Sequence, residues 1–154
     1  MIVNQKIILF LATGFYTGKI PYAPGSFGTL CGIPFALVFW IIPPPFFGVY
    51  VVGLILAAIF IADQAEKALG KKDPGCIVID EIAGYVVALS IVPVNGVTIV
   101  AGFIIFRFFD IVKIGPARYF EKNFSGGAGV VLDDVMAGIM TAVALRGLYL
   151  AGIL

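Results

Sequence analysis

The sequence predicts an all-α fold, a polytopic membrane bundle of about five transmembrane helices plus a short N-terminal helix. Three observations carry that expectation. Mean hydropathy is +1.10 and charged residues make up 12% of the chain, about half the usual share. Hydrophobic residues reach 61% of 154, more than a core of this size can hide, so the outer surface must meet lipid rather than water. Apolar runs at 28–42, 46–62, 82–92, 97–106 and 135–154, with a shorter one at 7–12, alternate with turns of two kinds.

The run at 7–12 leads into Tyr16, Lys19 and a proline-rich loop instead of a cleavage site. It reads as an interfacial or packed helix, not a secretory signal. Several later runs fall short of the roughly 20 residues that cross a hydrocarbon core. Extension into their polar flanks gives 77–92 and 96–110 for the third and fourth long segments. Pro116–Phe124 mixes aromatic and charged residues in a pattern suited to a short helix at the headgroup level. The glycines of Ser125–Gly129 after it suggest a flexible hinge. A single domain spanning 1–154 is the economical organisation.

Charge placement supplies a topology. Lys19 lies in loop 14–27, Lys67, Lys71 and Lys72 in loop 63–76, and Lys113, Arg118 and Lys122 in loop 111–133. The alternate turns, Pro43-Pro44-Pro45 and Pro93-Val94-Asn95-Gly96, carry no charge. The positive-inside rule puts the charged loops in the cytoplasm. The expectation is a multi-pass protein of the bacterial cytoplasmic (inner) membrane, with Arg146 snorkelling toward the outer face.

Composition also removes whole mechanisms. Net charge is +1 with no basic stripe, so nucleic acid is not an expected partner. Histidine is absent, which excludes an imidazole base, a phosphohistidine and a histidine-bound zinc. Cys31 and Cys76 form no CxxC pair, and neither has an arginine six residues on; both read as packing residues. An active site must therefore use carboxylates, lysine, arginine, hydroxyls and backbone amides.

The acidic residues are grouped. Asp80-Glu81 opens the third long helix and Asp133-Asp134 opens the fifth. Asp80, Gly84 and Ala88 fall at i, i+4 and i+8, and Asp134, Gly138 and Ala142 repeat that spacing 54 residues later. Each set shares one helix face, and small residues there let helices approach closely in lipid. Packing the two faces together would bring Asp80 and Asp134 near one another, and a hard divalent cation, Mg²⁺, is the natural counterion. Helix capping accounts for either pair alone. It does not account for the doubling, the shared spacing or the expense of four carboxylates near hydrocarbon.

Arg107, Asp110 and Lys113 follow at i, i+3 and i+6 on the fourth helix, a set able to grip phosphate oxygens or to neutralise itself as a boundary triad. The glycine- and hydroxyl-rich stretch Gly14–Thr29 leads into a helix, where backbone amides favour anions. It is not a P-loop, because the glycine spacing is wrong and Ile20 stands where a hydroxyl is required.

At these residues the sequence resembles the phosphatidylglycerophosphatase A family, magnesium-dependent membrane enzymes that remove the terminal phosphate of phosphatidylglycerophosphate. The resemblance covers roughly residues 10–145. It rests on Pro21-x-x-Pro24-Gly25-Ser26-x-Gly28-Thr29, Asp80-Glu81-x-x-Gly84, Phe106-Arg107-x-x-Asp110-x-x-Lys113, and Gly126-Gly127-x-Gly129 running into Asp133-Asp134-x-x-Ala137-Gly138. Ser26 and Thr29 stand where the family usually has threonine then serine, and Ile114 where it has proline.

The resemblance implies Mg²⁺ held by Asp80 and Asp134 with Glu81 or Asp133, and Asp110 joining them in the catalytic group. It implies phosphate binding by Lys19, Arg107 and Lys113 together with Gly25, Ser26 and Thr29. Direct attack by water and transient phosphorylation of an aspartate both stay open. The expected partners are the bilayer and the lipid substrate. A phosphatase of another lipid phosphate is the main alternative. A small ion-coupled transporter would place its polar residues at the midplane instead, and a scaffold subunit would not need phosphate-gripping side chains.

Overall fold

The computed structural model describes residues 4–113, 118–119 and 123–154. Six α-helices lie among the described residues: α1 (Gln5–Ala12), α2 (Pro24–Ala36), α3 (Phe47–Leu69), α4 (Ile79–Leu89), α5 (Gly96–Val112) and α6 (Gly127–Leu150). No strand occurs among them. The fold is all-helical, as the apolar runs predict. The predicted headgroup helix at Pro116–Phe124 lies largely outside the described residues.

Among the described residues, two segments are long and apolar enough to cross a membrane: Pro44–Leu69, with mean hydropathy 2.4, and Gly127–Leu150, with 1.7. Helix length does not by itself carry the expected five crossings. The run at 28–42 contains Pro34 and changes at Leu37 into a tighter 3-10 turn ending at Trp40. The third long segment forms only the eleven residues of α4, roughly 16 Å at the helical rise.

That short helix is the centre of the molecule. Ten of its eleven residues are buried, and α2, α3, α5 and α6 all pack on it. A helix enclosed by protein on every side need not match the bilayer, because its neighbours satisfy its ends. The Val78 N–H before it donates to the Ala12 carbonyl at 2.8 Å. Val78 itself is keyed into three glycines: Cβ atoms at Gly14, Gly18 and Gly28 would lie 2.8, 3.0 and 2.6 Å from its side chain.

The predicted small-residue faces do meet. A Cβ on Gly84 would lie 2.6 Å from the Asp134 carbonyl oxygen, and one on Gly138 would strike the Gly84 carbonyl. The α4 and α6 backbones are therefore in direct contact where the acidic pairs begin. Gly127 shows the same economy, since its Cβ would strike the Ile59 carbonyl of α3. The glycines of 125–129 thus make a close-packed helix start and not the expected hinge; Gly126 alone uses left-handed freedom, at φ +67.

The opposite end is closed by conventional means. Asn95 and Thr98 form a reciprocal capping box on α5, and the Trp40 indole donates to the Val94 carbonyl at 2.8 Å. Outside, Val49, Val52, Leu56 and Phe60 form an exposed stripe on α3, and Val97, Val100, Ile104, Phe108 and Ile111 form another on α5. Apolar stripes facing away from the core mark the lipid-facing surface.

Gly84→Ala and Gly138→Ala should each lower stability by about 1–3 kcal/mol through overpacking. Gly147→Ala meets nothing within 4 Å and should be neutral or slightly stabilising. Thermal unfolding in detergent distinguishes these; equal effects at all three glycines would refute the close α4–α6 contact.

Candidate active site

Helix polarity gathers the chemistry at one end. The starts of α2, α4 and α6 and the end of α5 converge on a cavity of about 340 Å³. Asp80 and Glu81 enter from α4, Asp133 and Asp134 from α6, Arg107, Asp110 and Lys113 from α5, and Gly25 from α2. Asp80, Asp133 and Asp134 are buried, and the side chains of Glu81, Arg107 and Asp110 are each below 20% exposed.

Asp80 and Glu81 do open α4. Helix α6 begins at Gly127, so Asp133 and Asp134 lie about two turns inside it and do not open it as expected. The close α4–α6 contact still brings the pairs together. Oxygens of Asp80, Glu81 and Asp134 lie within 4.8 Å of one another. Asp133 points elsewhere, since successive helical residues project about 100° apart, and accepts a 2.8 Å bond from the Lys113 ammonium. The two residues of the α6 pair therefore differ: Asp134 joins the triangle, and Asp133 holds a lysine.

Arg107 is similarly engaged. It pairs with Asp110 one turn on and has Nη1 3.9 Å from Glu81 Oε1. Gly25 lies directly above this group, where a Cβ would sit 2.9 and 3.0 Å from the guanidinium nitrogens. The glycine lets the first turn of α2 approach the charges. Tyr85, one turn after Glu81, fixes α4 against α5 by donating to the Ile99 carbonyl at 2.7 Å.

The donor set suits a hard cation. Among the described residues, Asp80 Oδ1, Glu81 Oε2 and Asp133 Oδ1 are buried without a hydrogen-bond partner. Among the described residues, six carboxylates, counting Asp73, line the cavity against two cations, Arg107 and Lys113. With all of them ionised the wall would carry a net charge of −4, which repels any phosphate. Burial makes such an imbalance costly, and oxygen-only ligands select Mg²⁺ or Ca²⁺ over softer metals.

Three predicted phosphate-binding side chains lie elsewhere. Thr29 is fully buried and donates to the Gly25 carbonyl at 2.9 Å, so its hydroxyl proton is used inside α2. The Lys19 ammonium sits 4.5 Å from the Tyr16 ring centre, and neither Lys19 nor Ser26 lines the cavity. The glycine-rich loop is a compact turn with Phe15 and Tyr16 at positive φ. Asp73, which is not among the residues the sequence pattern singles out, does line the cavity. Asp73 sits at φ +44, and its N–H donates to Glu66 Oε1 at 2.6 Å. The turn tripeptide Asp73-Pro74-Gly75 shortly before Asp80 was the available signal.

The family model described as phosphatidylglycerophosphatase A matches residues 10–149. The chain belongs to this family. It is 37% identical over 133 residues to phosphatidylglycerophosphatase A of Escherichia coli, covering 86% of this chain and 77% of that one. It is 33% identical over 140 residues to the protein of the same name in Haemophilus influenzae, covering 90% and 86%. A Bacteroides thetaiotaomicron protein provisionally named as a phosphatidylinositol-3-phosphatase is 35% identical over 150 residues, covering 89% and 90%. No solved structure matches the chain. Family membership makes the protein an enzyme of the phosphoric monoester hydrolase class.

Thr29→Val should lower stability by about 1 kcal/mol, the net weight of one buried hydrogen bond. The KM of the folded protein should not change; a KM rise without loss of stability would restore Thr29 to the phosphate site. Lys113→Met and Asp133→Asn should be less than additive in stability, with a coupling of about 1 kcal/mol. Strict additivity in that cycle would show that the pair contributes nothing.

Proposed function

We propose that the protein removes the terminal phosphate of phosphatidylglycerophosphate, yielding phosphatidylglycerol, in a Mg²⁺-dependent reaction at the cytoplasmic surface of a bacterial membrane. The observation that carries this proposal is the buried triangle of Asp80, Glu81 and Asp134 beside two cations, in a chain of this family. Asp80, Glu81 and Asp134 would hold the Mg²⁺. When bound, it would neutralise phosphoryl charge and acidify a water.

The chain's own groups divide the remaining tasks. Arg107 and Lys113 face the cavity and attract the phosphate oxygens. Asp110 positions Arg107 by pairing with it, and Asp133 does the same for Lys113. The first turn of α2, brought close by Gly25, adds the positive end of its helix dipole, where negative charge is favoured. Phosphoryl transfer depends mostly on such positioning and charge balance.

We assign the whole chain to one integral-membrane domain that crosses the bilayer several times, about five in all. The gathering of the site at one end of the bundle supports a boundary location, where a lipid keeps its acyl chains in the bilayer while its headgroup enters. The basic loops at that end support a cytoplasmic orientation. The name of the Bacteroides relative favours one competing substrate, a phosphoinositide.

Phosphate release from phosphatidylglycerophosphate in mixed micelles tests the proposal. Wild type should turn over with Mg²⁺ and stop with EDTA. Asp80→Asn and Asp134→Asn should each lose about a hundredfold or more. Turnover that survives chelation or both substitutions would overturn the metal assignment, and a preference for phosphatidylinositol 3-phosphate would overturn the substrate.

A further inference from the structure

A second cavity, of about 310 Å³, adjoins the first. Asp73, Val130 and Asp133 line both, so the two share a wall. The second differs in its chemistry: Lys72, Phe124, Gly126 and Gly129 complete its lining, and the Asp80, Glu81 and Asp134 triangle is outside it. It holds no part of the hydrolytic machinery described above except Asp133, whose charge is already matched by Lys113.

Lys72 is distinctive among the lysines near this end. Lys113 is committed to Asp133 and Lys67 to Asp63, and the Lys19 ammonium lies over Tyr16. Lys72 is exposed and makes no ion pair among the described residues, yet it lines a cavity beside the reaction site. Asp73 stands on the shared wall, its backbone held by Glu66.

We infer that this second cavity is the headgroup subsite, in which Lys72 binds the internal phosphodiester of the lipid and Asp73 accepts a hydrogen bond from the intervening glycerol hydroxyl. The inference rests on the proposed substrate, whose two phosphates are separated by one glycerol. The chemistry is that of adjacent compartments. The terminal monoester needs the site with the carboxylate triangle, Arg107 and Lys113. The singly charged diester, which must not be cleaved, needs a cation set apart from that triangle. Lys72 supplies it on the far side of the wall. A hydroxyl between the two phosphates falls at the wall itself, where Asp73 offers an acceptor to both compartments. Phosphatidic acid lacks both the diester and the hydroxyl, so the subsite gives it nothing.

Three probes separate the parts: phosphatidylglycerophosphate as substrate, phosphatidylglycerol as an inhibitor with the diester alone, and inorganic phosphate as an inhibitor with the monoester alone. Lys72→Gln should raise the KM for the substrate and the Ki for phosphatidylglycerol about tenfold, as loss of one charge-assisted contact does. The Ki for inorganic phosphate should stay in place, and Lys72→Arg should restore the first two values. Lys71→Gln, whose side chain lines neither cavity, should change none of them. A substrate lacking the glycerol hydroxyl should bind wild type more weakly but Asp73→Ala no more weakly than the natural lipid does.

If Lys72→Gln shifts all three constants alike, or none, the subsite is refuted while hydrolysis by wild type leaves the proposed function standing. If wild type does not hydrolyse phosphatidylglycerophosphate, the proposed function fails and this inference fails with it.

Discussion

Negative charge confined where two helices touch is the constraint on which the rest of the structure depends. Gly84 and Gly138 bring the α4 and α6 backbones into contact, and the acidic pairs, in the first turn of α4 and about two turns into α6, are carried into the same small volume. Carboxylates in such surroundings repel each other strongly unless cations are close. The neighbouring elements answer that need. Helix α5 delivers Arg107 and Lys113, each tied to a carboxylate, and α2 has a glycine, Gly25, as its second residue so that its first turn lies against the cluster. Oxygens of Asp80, Glu81 and Asp133 are still left without partners among the described residues. That remainder is the observation on which the proposed divalent cation, and through it the phosphate, rests.

The short central helix makes this possible. A helix facing lipid must be long and apolar throughout, which leaves little room for acidic residues. Surrounded by four others, α4 is released from that requirement and can place Asp80 and Glu81 in its first turn. The outer helices meet the solvent in its stead, with apolar stripes on α3 and α5 turned outward. Charge and hydrophobicity are thus divided between an inner helix and its surroundings, and between one end of the bundle and the other.

Much of this was legible in the chain. The apolar runs mark all six helices, and the spacing of Asp80, Gly84 and Ala88 against Asp134, Gly138 and Ala142 identifies the faces that meet. The four motifs identify the family. Other features were not legible, because they depend on what lies across a contact. Ser125–Gly129 looks like a hinge until the Ile59 carbonyl is seen where a side chain of residue 127 would go. Thr29 looks like a phosphate ligand until its hydroxyl is found bonded to Gly25. Asp73 reads in the sequence as part of a turn beside lysines, and only the fold brings it to the cavity that Asp80 and Glu81 line.

The sequence by itself determined the class of solvent, the helical segments, the family and the kinds of side chain available for chemistry, because composition and periodicity are local properties that no neighbour alters. Tertiary structure alone decided that α4 is the enclosed helix, that Asp134 and not Asp133 completes the triangle, and that Lys113 is held by Asp133. Those outcomes turn on helix rotation and on contacts between segments 20 to 54 residues apart. A difference of about 100° in projection separates a residue that joins the carboxylates from one that pairs with a lysine, and only packing sets that angle relative to a neighbour.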